Sequence, residues 1–334
     1  MDEARRAALE AWLSAAAGAP VSIRAAALLS GGAIQQNWAL SVTRDGREEE
    51  WVLRTDNPAT LAVSLPRLSE FALLRAAHAA GVRVPEPLFA CADRAILGAP
   101  FFVMRRVGGM ATAFRLARAA AAKGGEDGLV RAMGRELARI HAIRPPRDDL
   151  AFLGPPPPDP GRAFVSAMRA RLDAAGTPRP VLEWGLSALE RHVLPPVPPV
   201  LCHNDFRTGN LMVEEGRLTA VLDWEFAGWG DPHADLGWFC APCWRFGNRA
   251  LEAGGLGARA AFLAGYAEAA ATPPDPARLP FWELAASIRW AVIAADQGGR
   301  HLSGVERGLE LALTAHIVPE LELDILRQAE ALDA

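Results

Sequence analysis

Residues 200–238 read VLCHNDFRTGNLMVEEGRLTAVLDWEFAGWGDPHADLGW, the densest cluster of polar side chains set within apolar sequence in the chain. Leu211 to Val213 and Leu218 to Leu222 are strand runs. Gly216-Arg217 between them suits a two-residue type II′ turn with Gly first. That turn predicts Asn210 directly opposite Asp223 at the open end of a hairpin, with backbones about 5 Å apart. An amide oxygen and a carboxylate so placed can both reach one divalent cation at roughly 2.1 Å. Oxygen ligands without histidine or thiol favour Mg²⁺ over Zn²⁺. Asp205, in the loop leading into the hairpin, is placed to orient a hydroxyl and accept its proton. Arg207 can meet the charge of a transferring phosphate. As plain turn formers, Asp and Asn would need no such role; the spacing of all three argues for one.

Upstream, the residues from Leu28 to Thr55 offer strand runs separated by Gly31-Gly32 and Asp45-Gly46, both suited to hairpin turns. A helix is predicted after Pro66, with Leu68, Phe71, Ala72 and Ala76 at helical spacing before Gly81. Further strand runs end at Pro100 to Met104. Beyond residue 105 the periodicity turns helical, marked first by Leu129, Met133, Leu137 and Ile140. Proline clusters at 155–158 and 195–199 read as stiff connectors. The expectation is an α+β protein, with a small antiparallel lobe over 1–104 and a larger, mainly helical lobe over 105–334. Ligands commonly bind between such lobes.

With those residues in view, His203-x-Asp205-x-x-x-x-Asn210 followed by Asp223 resembles the catalytic and metal motifs of the aminoglycoside phosphotransferase-like small-molecule kinases. The resemblance implies a two-lobed protein-kinase-like fold and use of ATP with Mg²⁺. It implies that Ser30-Gly31-Gly32 covers phosphates and that Arg54 contacts them with Glu70 as helix partner. Phe102-Val-Met104 would be the hinge beside adenine, with Arg106 just beyond it as a further nucleotide contact. Gly230-Asp231-Pro232 and Asp235-Leu236 would brace the catalytic loop. Position 54 is arginine where well-known resistance kinases have lysine, and the chain's single lysine, Lys123, falls in the other lobe. The strand alternates faces, so an inward Arg54 would need a carboxylate such as Glu70.

Composition narrows the alternatives. The 334 residues are 51% hydrophobic and 22% charged, enough for a packed core. A net charge of −4 argues against a nucleic-acid sleeve or a polybasic membrane patch. Four cysteines are too few for a disulfide scaffold, and Cys240-Ala-Pro-Cys243 has no second such pair nearby to complete a zinc site. The N-terminus does not read as a signal peptide, and the most apolar run, from Phe281, is broken by Glu283, Arg289 and Asp296. A soluble, cytoplasmic protein is expected. The function read here is transfer of the γ-phosphoryl group of ATP to a small-molecule hydroxyl. Alternatives are a catalytically weak nucleotide-binding module and a metal-dependent hydrolase built on His203 and Asp205. Between Gly237 and Glu310 seven arginines balance seven acidic residues. That disfavours a polycationic aminoglycoside and leaves neutral or acidic acceptors open, a hydroxyacyl thioester among them.

Overall fold

A computed structural model describes residues 1–29, 35–56 and 64–334. The chain forms two compact units, one holding 1–110, 146–154 and 210–227, the other the remainder. Gly31 and Gly32 lie outside the described residues.

The first unit opens with helix α1 (Glu3–Ala17), followed by strands β1 (Val21–Leu28), β2 (Gln35–Arg44) and β3 (Arg47–Asp56). Helix α2 (Arg67–Ala79), strand β4 (Pro87–Cys91), the single turn α3 (Arg94–Leu97) and strand β5 (Phe101–Arg105) complete its first part. The sheet order is β1-β2-β3-β5-β4, antiparallel throughout. Between β2 and β3, Asp45 and Gly46 both take positive φ (48° and 76°), as a two-residue turn of this twist requires. Strand alternation divides β3 cleanly. Trp51 and Leu53 join Leu9, Leu13, Phe101 and Val103 in a core beneath α1. Arg54 and Phe102, paired across β3 and β5, face α2, where Phe71 packs against Phe102.

Residues far along the chain join this unit through its backbone. Strands Leu211–Glu214 and Arg217–Val221 form a hairpin. Val213 pairs with Met110, the N–H of Val221 donates to the carbonyl of Arg83, and that of Leu65 donates to Glu225. The predicted turn is corrected here. Glu214 opposes Arg217, so the turn is Glu215-Gly216, with φ of 49° and 74°. Both central residues take the left-handed region, as type I′ demands and type II′ does not. The turn moves the register by two and an irregularity between Met212 and Val213 gives one back, so the carbonyl of Asn210 accepts from the N–H of Leu222 rather than facing Asp223.

The second unit is mainly helical. Helices α4 (Ala113–Ala122), α5 (Asp127–His141), α6 (Pro160–Ala175) and α7 (Pro180–Arg191) precede short strands Val200–Cys202 and Gly228–Gly230, which pair antiparallel. Then come α8 (Pro232–Cys240), α9 (Arg259–Ala269), α10 (Leu279–Ser303), α11 (Leu309–Ala315) and α12 (Val318–Asp333). Leu182, Leu186, Phe281, Ile288 and Ile325 hold α7, α10 and α12 together; each such side chain contributes about 1.5–3 kcal/mol on burial. Among the described residues no helix is long and apolar enough to cross a membrane. The proline clusters lie outside regular elements.

Helices α5 and α9 touch backbone to backbone. A Cβ on Gly134 would overlap the carbonyl of Phe262 and the amide of Tyr266, and one on Gly265 would overlap the carbonyl of Arg131. Gly128, on the same helix α5, has nothing within 4 Å of a Cβ. Gly134→Ala is therefore expected to lower the unfolding free energy by about 1–3 kcal/mol. Gly128→Ala should leave it unchanged or raise it by less than about 1 kcal/mol. Denaturant titration of both variants checks the pair, and equal effects would contradict the contact.

Candidate active site

The predicted site residues fall on both units, and each group has its own supports. In the helical unit, strand Val200–Cys202 delivers the chain into the loop His203 to Gly209. Asp235, on α8, is wholly buried beneath this loop. Its two oxygens accept the backbone N–H groups of His203 and Asn204 at 2.6 and 2.7 Å. His141 adds a third contact through Nε2 at 3.1 Å, while its Nδ1 meets the hydroxyl of Tyr266 at 2.8 Å. Burial pushes the Asp235 carboxyl up, but the bond and charge of His141, then His203, outweigh it and hold the group below its usual 3.8. The anchorage keeps Asn204 at a φ of 61°, a left-handed conformation that Asn tolerates.

Asp205 follows, itself buried. Trp238 Nε1 donates to its Oδ1 at 3.1 Å, and Arg207 Nε reaches both oxygens at 3.1 and 3.2 Å. The buried His203 accepts the Asp205 N–H on Nδ1 at 3.3 Å, which makes it part of the loop's scaffold. Thr208 closes the loop by donating to the carbonyl of Gly254 at 2.7 Å. His141, Cys202 and Asp235 lie within 4.8 Å of one another, a spacing a metal could use. Hydrogen bonds already engage all three: the Cys202 thiol donates to the Asp231 carbonyl, and burial drives its pKa far up. That arrangement is a hydrogen-bond network, not a thiolate ligand set.

In the sheet unit, Arg54 is buried, with only 8% of its surface exposed. Its Nε pairs with Glu70 at 3.0 Å, and its Nη2 pairs with Asp223 Oδ1. Burial opposes the guanidinium charge, and the carboxylates of Glu70 and Asp223 more than reverse that, so its pKa is raised. Arg67, wholly enclosed one helical turn before Glu70, pairs with the same Glu70 and with Asp56, and lies 3.8 Å from Glu225. Two guanidiniums thus face four carboxyl groups: Asp56, Glu70, Asp223 and Glu225. The surplus of acid shows in Glu225, pushed up to about 7 by burial first and the charge of Asp223 second. Asp223 takes a φ of 69°, and Asn210 is buried where the hairpin strand begins. An acid-rich group offering only oxygen donors is chemically suited to a divalent cation such as magnesium.

The remaining predicted residues are also placed. Met104 pairs with Val52 across the sheet. Arg106 is exposed, with its N–H donated to the carbonyl of Glu50 at 2.9 Å and its guanidinium 3.3 Å from the Glu50 carboxylate. Sequence reading missed Arg67, His141, Tyr266 and Arg289. Arg67 stands three residues before Glu70, the i,i+3 spacing at which helical ion pairs form. Arg289 is one of the charged residues, with Glu283 and Asp296, that break the apolar run of α10, which is the available signal for it.

Antiparallel sheet unit, larger helical unit and this distribution of acids define a protein of the two-lobed, protein-kinase-like class. A family model for the phosphotransferase enzyme family matches residues 25–282, and the chain belongs to that family. Mouse acyl-CoA dehydrogenase family member 10 is 30% identical over 200 residues, 58% of this chain and 18% of that protein. The chain thus spans about a fifth of that relative's length. An aminoglycoside phosphotransferase candidate from Ralstonia eutropha superposes with a TM-score of 0.74 at 21% identity, covering 97% of this chain and 98% of its own. A thermostable variant of the aminoglycoside phosphotransferase APH(4)-Ia, in ternary complex with AMP-PNP and hygromycin B, gives 0.59 at 17% identity over 95% and 98%.

The Asp235 anchorage has a testable consequence. Its lowered pKa contributes stability that is present above pH 3.8 and lost as pH falls through the folded value. Asp235→Asn should be less stable than the wild type at pH 7, with the difference shrinking below pH 4, and the His203 and Asn204 amides should exchange faster. Denaturant titrations against pH, with hydrogen exchange, check both. A pH-independent difference would mean that the charge is not what ties the loop.

Proposed function

We propose that the protein transfers the γ-phosphoryl group of ATP to a hydroxyl of a small molecule, with Mg²⁺ as cofactor. The observation that carries this is the buried Arg54, held between Glu70 and Asp223. A cation enclosed in a sheet unit and braced by two carboxylates is what a phosphate-contacting residue requires, and a surface strand arginine has no use for such support. We assign nucleotide binding to the lobe over 1–104, and the catalytic loop and acceptor binding to 105–334.

In this reading Arg54, oriented by Glu70, steadies the phosphates and Met104 and Arg106 lie by the adenine, while covering of the phosphates is assigned to Gly31-Gly32, outside the described residues. Asn210 and Asp223 hold the metal, whose charge offsets the negative charge of the phosphates during transfer. Asp205 accepts the proton of the acceptor hydroxyl as its oxygen bonds to the γ-phosphorus and ADP leaves. Trp238 and Arg207 aim the Asp205 oxygens, and we assign to Arg207 the further role of meeting the transferring charge. Relatives named as acyl-CoA dehydrogenases are more than twice as long as this chain, so their names do not fix its acceptor. Membership of a phosphotransferase family favours transfer over a hydrolase built on His203 and Asp205.

Two variants test the assignment. Asp205→Asn keeps the size and most of the hydrogen bonding but removes the proton acceptor. Nucleotide affinity should hold within a few-fold while turnover falls by roughly 10²-fold or more. A variant that keeps most of its turnover would reduce Asp205 to a loop-shaping role. Asp223→Ala should abolish the Mg²⁺ dependence of binding to a nonhydrolysable ATP analogue, read by isothermal titration. Unchanged metal dependence would remove Asp223 from the metal site.

A further inference from the structure

Around Asp205 the helical unit builds a layered stack. Arg289, on α10, lies over the ring of Trp238 at 4.5 Å. Trp238 packs against Trp244 with ring centroids 5.1 Å apart, and Arg207 lies over Trp244 at 5.1 Å. Asp205 bonds both Trp238 and Arg207. The order is therefore cation, indole, indole, cation, with the candidate base at its edge.

The charges in this stack do not balance. Arg207 pairs with Asp205, Arg171 with Asp296, and Arg245 with Glu252 and Glu283. Among the described residues no carboxylate lies within ion-pair reach of Arg289; its Nη1 donates to a neutral partner, the carbonyl of Asn204, at 2.6 Å. Stacking on an indole holds a guanidinium in place without neutralising it. Burial lowers the pKa of Arg289, the charges of Arg171 and Arg207 push the same way, and Asp205 and Asp235 oppose them. A second donor in the stack is also open. Trp244 Nε1–H is buried with no hydrogen-bond partner. A half-buried cation without a carboxylate partner, beside a buried N–H without an acceptor, leaves two donors that an anion would satisfy.

We propose that Arg289, held on the ring of Trp238, recognises a carboxylate or phosphate carried by the non-reacting part of the acceptor. The inference rests on the kinase reading only in calling that ligand an acceptor. A planar guanidinium presents paired N–H donors that match either anion edge-on, which a lysine could not do. The stack sits on the segment after Asp235, beside the candidate base, so the anionic group would fix the acceptor while leaving its hydroxyl free to approach Asp205.

Four probes on one carbon skeleton test the charge rule: glycerate, glycerophosphate, glycerol and the amino alcohol serinol. Saturation-transfer NMR is run on the full chain with Mg²⁺ and a nonhydrolysable ATP analogue present. Glycerate or glycerophosphate should bind at least about tenfold tighter than glycerol or serinol, and the tighter of the two identifies the anion. Arg289→Gln should erase that preference. Arg289→Lys keeps the charge but loses the fork; it should retain part of the preference, and it serves if the glutamine variant misfolds. Equal binding of all four probes, or an undiminished preference in either variant, overturns the proposal. Titration of the ATP analogue alone is the separate test of the kinase reading. Loss of that binding with the anion preference intact would reject kinase function and keep the anion site.

Discussion

A guanidinium taken out of water dictates its surroundings, and Arg54 shows how far that demand reaches. Its carboxylate partners come from helix α2 and from the segment after the 211–221 hairpin, so one buried cation ties three separate stretches of the sheet unit. Glu70 cannot serve Arg54 alone without itself being buried, and Arg67 supplies the second cation. Arg67 in turn draws in Asp56 and lies near Glu225. Burial and the charge of Asp223 push Glu225 up to about 7, which marks the acid-rich end of the network. What begins as the solvation of one side chain finishes as a place suited to a divalent cation.

The helical unit solves the complementary problem with an anion. Asp235 is buried, and two loop N–H groups with one imidazole satisfy it. The loop that carries Asp205 is therefore fixed from below by a carboxylate that takes no part in the proposed chemistry. His141 meets Asp235 through one ring nitrogen and Tyr266 through the other, and Tyr266 lies on α9, the helix that meets α5 at Gly134 and Gly265. Helix spacing and loop geometry are in this way parts of one arrangement.

The architecture was legible in the sequence because its signals are local. Alternation in β3, the Asp45-Gly46 turn and the spacing of Leu129, Met133, Leu137 and Ile140 each depend on neighbours a few residues away. The pairing of Arg54 with Glu70 was legible because a buried charge needs an opposite one and few candidates follow the strand. The hairpin turn was misread by one position, since Glu215-Gly216 and Gly216-Arg217 both contain a glycine and the decision lay in φ at Glu215. Arg67, His141 and Tyr266 were not legible as partners. Their contacts run between segments whose proximity is a product of tertiary packing, as with the 125 residues separating His141 from Tyr266. Arg289 was visible only as an interruption of an apolar helix, and its meaning depends on the indoles that packing brings against it.

An arginine at position 54 also changes the chemical character of the first unit. A lysine amine that loses its proton becomes a nucleophile, open to acylation, carbamylation and condensation with aldehydes. A guanidinium stays protonated throughout the range in which proteins are folded, and it does none of this readily. The chain's single lysine, Lys123, is exposed and bound to Glu126 on the surface of the other unit. Amine-directed reagents of the kind that label lysines in nucleotide sites would thus find no lysine to modify beside Glu70. The positive charge there is chemically inert as well as permanently fixed.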